Sequence, residues 1–279
     1  MKIIVLGGTG YLGSKVINRL VEDGQEILLV KREGSSLERL ADLTEKIEIC
    51  NIEKMNEKIC REDGYDCLLN MSCKYPRNAK NEFEIWEANL YNPLKVFLQG
   101  INSGIKKCIT IGTGLPNSFN VYSISKKELA DIMKWYTDQK PVKVCNIELE
   151  NFYGEDEPTN RFIPNIVDKM KKNEDILLTE GLQIRDFIYI EDVVNSIIQL
   201  IYNEDLPRYV DLPLGSGEGV SIRELVEYLK DILKSNSRLF FGAIPMRKNE
   251  PDSVADIGMM RKFGIDVRYN WCEGLKKFI

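Results

Sequence analysis

Tyr122 and Lys126 stand four residues apart in the stretch NVYSISKKE, residues 120–128. On a helix that spacing puts both side chains on one face, one turn apart. A nearby ammonium draws a tyrosine from its ordinary pKa of about 10 toward working pH, where it can serve as acid or base. Spacing alone does not single out this pair. Among 12 tyrosines, Tyr11–Lys15, Tyr91–Lys95 and Tyr136–Lys140 share it. Surroundings do. The chain has no histidine, which removes histidine bases, Ser-His-Asp triads and histidine-liganded metals together. Tyr122 follows the strand-like KCITI (107–111) and the loop GTGLPNSFN, whose Thr113 can polarise a carbonyl; Thr110, inside the strand, is the alternative hydroxyl. Pro93 interrupts the Tyr91 pair and Pro141 follows the Tyr136 pair, and neither pair follows a strand. Tyr122, Lys126, Leu129 and Met133 would also suit a plain core-facing stripe. The functional reading therefore depends on the elements that present the pair.

Those elements alternate. KIIVL (2–6) reads as a strand covered on both faces, and residues 10–23 carry Leu12, Val16, Ile17, Leu20 and Val21 at helical spacing before Gly24. EILLV (26–30), KIEIC (46–50), DCLLNM (66–71), KCITI and VKVCNIEL (142–149) continue the strands, with helical stretches near 81–101 and 122–138. This rhythm predicts right-handed βαβ units and an α/β fold, a Rossmann-type doubly wound parallel sheet with ligands at its C-terminal edge. Beyond about residue 150, Pro and Gly become frequent and helical patterns remain at 162–172, 191–203 and 221–234. The expected organisation is a dinucleotide-binding domain over residues 1–150, with a chain return near 181–203, and a smaller, mainly substrate-binding lobe over 151–279.

The segment GGTGYLG (7–13) lies between the first strand and the first helix, with Gly7, Gly10 and Gly13 at GxxGxxG spacing. Glycines there permit a tight turn and close approach of backbone to a pyrophosphate. The second strand ends in LLVKREGSS, with no acid to bind a ribose 2′-hydroxyl; Lys31, Arg32, Ser35 and Ser36 instead suit a 2′-phosphate, Arg32 foremost. NADPH is thus expected rather than NADH or NAD. The net charge of −5 speaks against nonspecific nucleic-acid binding. No apolar run reaches membrane-spanning length, and MKIIVLGG is too short for a signal peptide. Seven scattered cysteines without CxxC spacing suggest a reducing cytoplasm, no disulfide framework and no structural zinc.

Gly7-x-x-Gly10-x-x-Gly13, Thr113 and Tyr122-x-x-x-Lys126 together resemble the extended short-chain dehydrogenase/reductase family, and within it the nucleoside-diphosphate-sugar epimerases, dehydratases and ketoreductases. The resemblance covers most of the chain. DCLLNMSCKY (66–75) is similar to the strand ending beside the nicotinamide, with Asn70 at a common His position; ENFYGEDEPTNRFIP (150–164), GLQIRDFIYIEDVV (181–194) and MRKNEPD (246–252) resemble its substrate-binding segments. The resemblance implies cofactor contacts from Tyr11, Leu12, Asn51, Ile52, Met71, Ser72, Cys73, Asn89 and Lys126, besides the glycines and the basic turn. It implies substrate contacts from Lys74, Thr113, Asn151, Phe152, Arg161, Arg185, Arg247 and Glu250, with both Arg185 and Arg247 on phosphate and Glu250 on a ribose. No metal is implied. Gly114 and Leu115 follow Thr113 where dehydratases of the group carry an acidic pair, which speaks against 4,6-dehydration. The resemblance is greatest to 4-ketoreductases of the abequose and paratose synthase type. The expected activity is NADPH-dependent reduction of a CDP- or dTDP-linked 4-keto-6-deoxy or 3,6-dideoxy sugar. An NAD-dependent 4-epimerase and a non-catalytic NADP(H)-binding sensor are the alternatives. By family analogy a homodimer forms through the helices near 81–101 and 122–138.

Overall fold

The computed structural model describes residues 1–59, 64–116, 119–247 and 250–279. Its strands are β1 (Lys2–Leu6), β2 (Glu26–Lys31), β3 (Glu48–Asn51), β4 (Cys67–Asn70), β5 (Lys107–Ile111), β6 (Lys143–Leu149), β7 (Asn151–Tyr153), β8 (Ile176–Leu177), β9 (Ile184–Tyr189), β10 (Tyr209–Leu214), β11 (Gly219–Ser221) and β12 (Leu239–Phe240). Its helices are α1 (Tyr11–Glu22), α2 (Met55–Ile59), α3 (Glu82–Trp86), α4 (Asn92–Asn102), α5 (Val121–Gln139), α6 (Phe162–Lys171), α7 (Ile190–Tyr202), α8 (Ile222–Leu233), α9 (Ile257–Lys262) and α10 (Trp271–Phe278). The chain divides into two compact units, one of Met1–Glu148 with Val194–Leu212 and one of Leu149–Val193 with Pro213–Ile279.

The first unit is built on a seven-stranded sheet in the order β10-β6-β5-β4-β1-β2-β3. Neighbours from β6 through β3 pair in parallel. Central strands are apolar along their whole length because helices cover both faces; Ile3, Ile4 and Val5 are fully buried. Ile4, Leu28, Leu68 and Val144 share one core cluster with Phe97 of α4 and Leu129 and Met133 of α5. Strand order reverses between β1 and β4, and the crevice beyond their carboxyl ends is where such a sheet takes ligands.

The stretch near 81–101 is not one helix. It comprises α3, a π-helical turn at Glu87–Tyr91 and α4. Pro93 sits in the first turn of α4 and has no amide to give the carbonyl of Asn89, so the regular ladder cannot pass through this point. α5 starts cleanly. Asn120 Oδ1 accepts from Ser123 N at 2.9 Å while Ser123 Oγ accepts from Asn120 N at 3.1 Å, a reciprocal cap that fixes where Tyr122 leaves the loop.

In the second unit β9 pairs parallel with β7 and antiparallel with β11. Asp186 on β9 is fully buried and gathers Ser216 N (2.7 Å), Ser216 Oγ (2.6 Å), Gly217 N (2.9 Å) and Ala255 N (3.1 Å). One carboxylate thereby ties two loops to the strand. Among the described residues no helix is long and apolar enough to cross a membrane, and no cluster of Cys, Asp and Glu could hold a metal ion.

Candidate active site

The dinucleotide cradle is shaped by what has no side chain. Gly7 has φ +81°, and a Cβ there would strike the backbone of Met71 and Ser72; one on Gly13 would strike the carbonyl of Gly7. β1, α1 and the end of β4 therefore close to backbone distance only with glycine at these positions. Gly10 caps α1 without a side-chain hydrogen bond, so the first-turn amides and the positive helix end remain available to an anion. Tyr11 and Leu12 are buried beside the cradle. After β2 the chain turns at Ser35 N to Arg32 O (3.2 Å); Arg32 is exposed, Lys31 Nζ reaches Arg32 O (3.3 Å), and Ser36 Oγ accepts from Glu38 N (3.2 Å). Asn51 ends β3 and Ile52 begins the turn that follows it. These residues fit a dinucleotide: a backbone cradle at an uncapped helix end, with cations and no acid at the end of β2.

Tyr122, Thr113 and Lys126 come together at the C-terminal end of β5, and all three are buried. The Thr113 hydroxyl and the Tyr75 phenol are the polar neighbours that bear on the Tyr122 hydroxyl. Thr110 faces elsewhere, accepting from Asn70 Nδ2 at 2.9 Å. Asn70 Oδ1 in turn takes Ser72 N (3.2 Å) and Ser72 Oγ (2.6 Å), setting the turn after β4. Lys126 Nζ donates to the carbonyls of Ser72 and Ile111, both at 2.7 Å. The lysine thus stitches the ends of β4 and β5 together.

That stitching corrects one expectation. Lys126 does not draw the Tyr122 phenol downward. Burial, followed by the neighbouring Tyr75 and Cys73, pushes Tyr122 well above its ordinary pKa, and the Thr113 hydrogen bond opposes this. Burial also lowers Lys126. In this state the tyrosine is a protonated donor rather than a phenolate base.

Asn89, expected against the cofactor, is spent inside the protein. Its side chain accepts from Lys74 N (2.8 Å) and donates to Lys74 O (3.0 Å) and Ser125 Oγ (3.1 Å). Ser125 Oγ donates to Tyr122 O at 2.8 Å. The π-helical turn carrying Asn89 therefore binds the loop after β4 to the first turn of α5. The Lys74 ammonium pairs with Glu84 at 3.1 Å, while Met71 is buried and Cys73 exposed. The remaining tyrosine pairs serve otherwise: Lys15 lies 5.7 Å from the Tyr11 ring centre, Tyr91 is exposed, and Tyr136 packs edge-on to Phe97.

In the second unit, Arg185 is nearly buried and already engaged. Its guanidinium meets Glu250 Oε1 at 2.6 Å, Ile184 O at 2.8 Å and the carbonyl of Pro251. Arg161 pairs with Glu157 at 2.5 Å and lies 4.4 Å from the Phe152 ring centre. Asn151 Nδ2 reaches Asp186 O at 3.4 Å. Arg247 is exposed; Lys248 and Asn249, which follow it, lie outside the described residues.

Sequence reasoning missed Tyr75, Arg77, Ser125 and Arg39. Tyr75 stacks 4.9 Å from Tyr122, Arg77 lies 5.3 Å from Tyr75, and Arg39 lies 5.6 Å from Tyr11, all measured to ring centres. No spacing rule announces them: Tyr75 and Arg77 arrive on the segment after β4, Arg39 on the helical turn after β2 and Ser125 on α5. A cavity of about 250 Å³ in the first unit, lined by Lys2, Glu26, Lys46, Glu48 and Tyr65 among others, opens at the opposite edge of the sheet and contains none of these groups.

The chain is 28% identical to CDP-abequose synthase of Salmonella muenchen, over 100% of this chain and 97% of the relative. It is 25% identical to UDP-glucose 4-epimerase of Lactobacillus helveticus, over 92% and 88% respectively. Its fold matches the crystal structure of UDP-glucose 4-epimerase from Thermotoga maritima with UDP-glucose, at a TM-score of 0.88 and 20% identity over 100% of this chain and 97% of that one. Residues 3–211 match the NAD dependent epimerase/dehydratase family, and with its glycine cradle and tyrosine–lysine helix the chain belongs to that family of enzymes.

Proposed function

We propose that the protein is an NADPH-dependent 4-ketoreductase acting on a nucleotide-linked 4-keto-6-deoxy or 3,6-dideoxy sugar, CDP- or dTDP-linked. The observation that carries this reading is the burial of Tyr122 with Thr113 and Lys126 at the end of β5, a proton donor beside a polarising hydroxyl. Exposed Arg32 with Lys31 at the end of β2 favours the 2′-phosphorylated cofactor. The full-length similarity to CDP-abequose synthase supports a CDP-sugar substrate.

When bound, the reduced nicotinamide supplies a hydride. Thr113 polarises the ketone, and Tyr122 gives its phenolic proton to the oxygen as negative charge develops there. Lys126 fixes the ends of β4 and β5 through two carbonyls; an ammonium has three donors, and the third is assigned to a cofactor hydroxyl. Arg185 and Arg247 are assigned to the pyrophosphate and Glu250 to the ribose, so Arg185 must exchange Glu250 for phosphate when substrate arrives. The exposed aromatics Phe83, Tyr91 and Trp135 on α3, the π-helical turn and α5 are assigned to a homodimer face. The six described cysteines are all unpaired, in keeping with a reducing cytoplasm.

The UDP-glucose 4-epimerase similarity keeps the epimerase as the second reading. Freshly purified protein tests the two. The reductase predicts that added NADPH is consumed stoichiometrically with a 4-keto sugar nucleotide. Tightly retained NAD⁺, with sugar isomerised and no NADPH consumed, would make it an epimerase. Nicotinamide binding with no affinity for any sugar nucleotide would instead make it a sensor.

A further inference from the structure

The dinucleotide cradle is built of backbone, and backbone alone is short of charge. The pyrophosphate of a dinucleotide is dianionic, whereas the N-terminal end of α1 amounts to about half a positive charge. No acid in the first turn of α1 opposes an anion, and Gly10 supplies no side chain to it. The balance has to come from a cation near Tyr11, the first residue of α1. Two approach its ring. Lys15 Nζ lies 5.7 Å from the ring centre and the Arg39 guanidinium 5.6 Å. Arg39 is set in place by the connection between β2 and β3. It stands on the helical turn Glu38–Leu43, whose Leu40 and Leu43 are buried, and Leu40 N donates to Leu37 O at 2.8 Å. Arg39 itself is exposed, and Tyr11 is buried. Other arginines are committed to carboxylates: Arg19 to Asp23, Arg161 to Glu157, Arg185 to Glu250 and Arg238 to Asp175. Among the described residues, the contact that holds Arg39 is with a neutral ring, which spends no carboxylate-binding donor. Its planar fork matches paired phosphate oxygens, as the point charge of Lys15 does not.

We propose that Arg39 is the side-chain ligand of the cofactor pyrophosphate, closing the glycine cradle from the connection between β2 and β3. The assignment rests on dinucleotide binding and holds for reductase and epimerase alike. It gives the two arginines of this connection different work. Arg32, assigned to the 2′-phosphate, tells NADPH from NADH. Arg39 holds the part that the two cofactors share.

Calorimetric titration of wild type and Arg39→Ala with NADPH and with NADH tests this, together with 2′-AMP, which carries the 2′-phosphate and no pyrophosphate. Arg39 is exposed, so its replacement leaves the core untouched. Arg39→Ala should weaken both dinucleotides about twentyfold and leave 2′-AMP within about twofold. Arg39→Lys, which keeps the charge and loses the fork, should recover only part of that loss. Unchanged dinucleotide affinity in Arg39→Ala overturns the assignment. So does a loss confined to NADPH and 2′-AMP, because Arg39 would then be a second ligand of the 2′-phosphate. A larger loss in Lys15→Ala than in Arg39→Ala hands the pyrophosphate to Lys15 and overturns it as well. Full recovery by Arg39→Lys overturns the fork. Wild-type protein that binds neither dinucleotide overturns the cofactor site and Arg39 with it, whereas a binding wild type matched by Arg39→Ala overturns the role of Arg39 alone.

Discussion

The two candidate clusters differ in what their side chains already engage. In the first unit, Tyr122 and Thr113 already face each other, with Lys126, Asn70 and Asn89 holding the surrounding backbone. In the second, Arg185 is turned onto Glu250 and two carbonyls, and Arg161 onto Glu157. Charge explains the difference. Neutral hydroxyls can be prepositioned at the cost of modest desolvation, whereas a nearly buried guanidinium with no anion would be strongly unfavourable and takes the best protein acceptor at hand. On the proposed reading, chemistry is preorganised, while recognition of a charged ligand would proceed by exchange of ion-pair partners.

Each cluster can be broken separately. Removing the acid should have the largest effect. Tyr122→Phe should lower kcat by about a thousandfold with little change in KM, measured as NADPH consumption. Because burial raises this phenol, wild-type reduction should not decline from deprotonation of Tyr122 until the pH exceeds the ordinary tyrosine value of about 10. Next comes the polarising hydroxyl. Thr113→Val should lower kcat about a hundredfold. Thr110→Val should leave catalysis much closer to wild type, and equal losses from the two would erase the distinction drawn between them.

Mutations in the second unit should appear in KM. Arg185→Ala should raise KM for the sugar nucleotide about thirtyfold with kcat nearly intact, as expected for loss of a charge-assisted contact. Glu250→Gln keeps the arginine and should change KM less, within about fivefold. If Arg185→Ala and Glu250→Gln are equally harmful, the pair is a fixed structural bridge and the exchange account is wrong. A loss smaller than that of Arg185→Ala is expected at the basic turn. Arg32→Ala should weaken NADPH about tenfold by fluorescence titration while leaving NADH unchanged.

The parts legible in the sequence are those encoded by consecutive residues. The glycine loop, the alternating strands and the Tyr122–Lys126 helix each follow from local chemistry, and the sheet places them as expected. The interruption at Glu87–Tyr91 was marked by Pro93, although a proline within a helical pattern does not announce a π-helical turn. Tyr75 and Arg39 escaped because their partners lie well along the chain: Asn89 for the Tyr75 loop, and Tyr11 for Arg39. The direction of the Tyr122 shift escaped for a related reason. Spacing brings Lys126 near, but the carbonyls of Ser72 and Ile111 decide where its ammonium points.

The central claim is that hydride crosses once, from NADPH to a sugar ketone, with Tyr122 supplying the proton. NADPH carrying deuterium at the transferred position of the nicotinamide tests it most directly, with the product sugar read by mass spectrometry and NMR. The account predicts one deuterium at sugar C4 for each NADP⁺ formed, in wild type and far more slowly in Tyr122→Phe. Sugar inverted at C4 with no deuterium gained and no NADP⁺ released would contradict it.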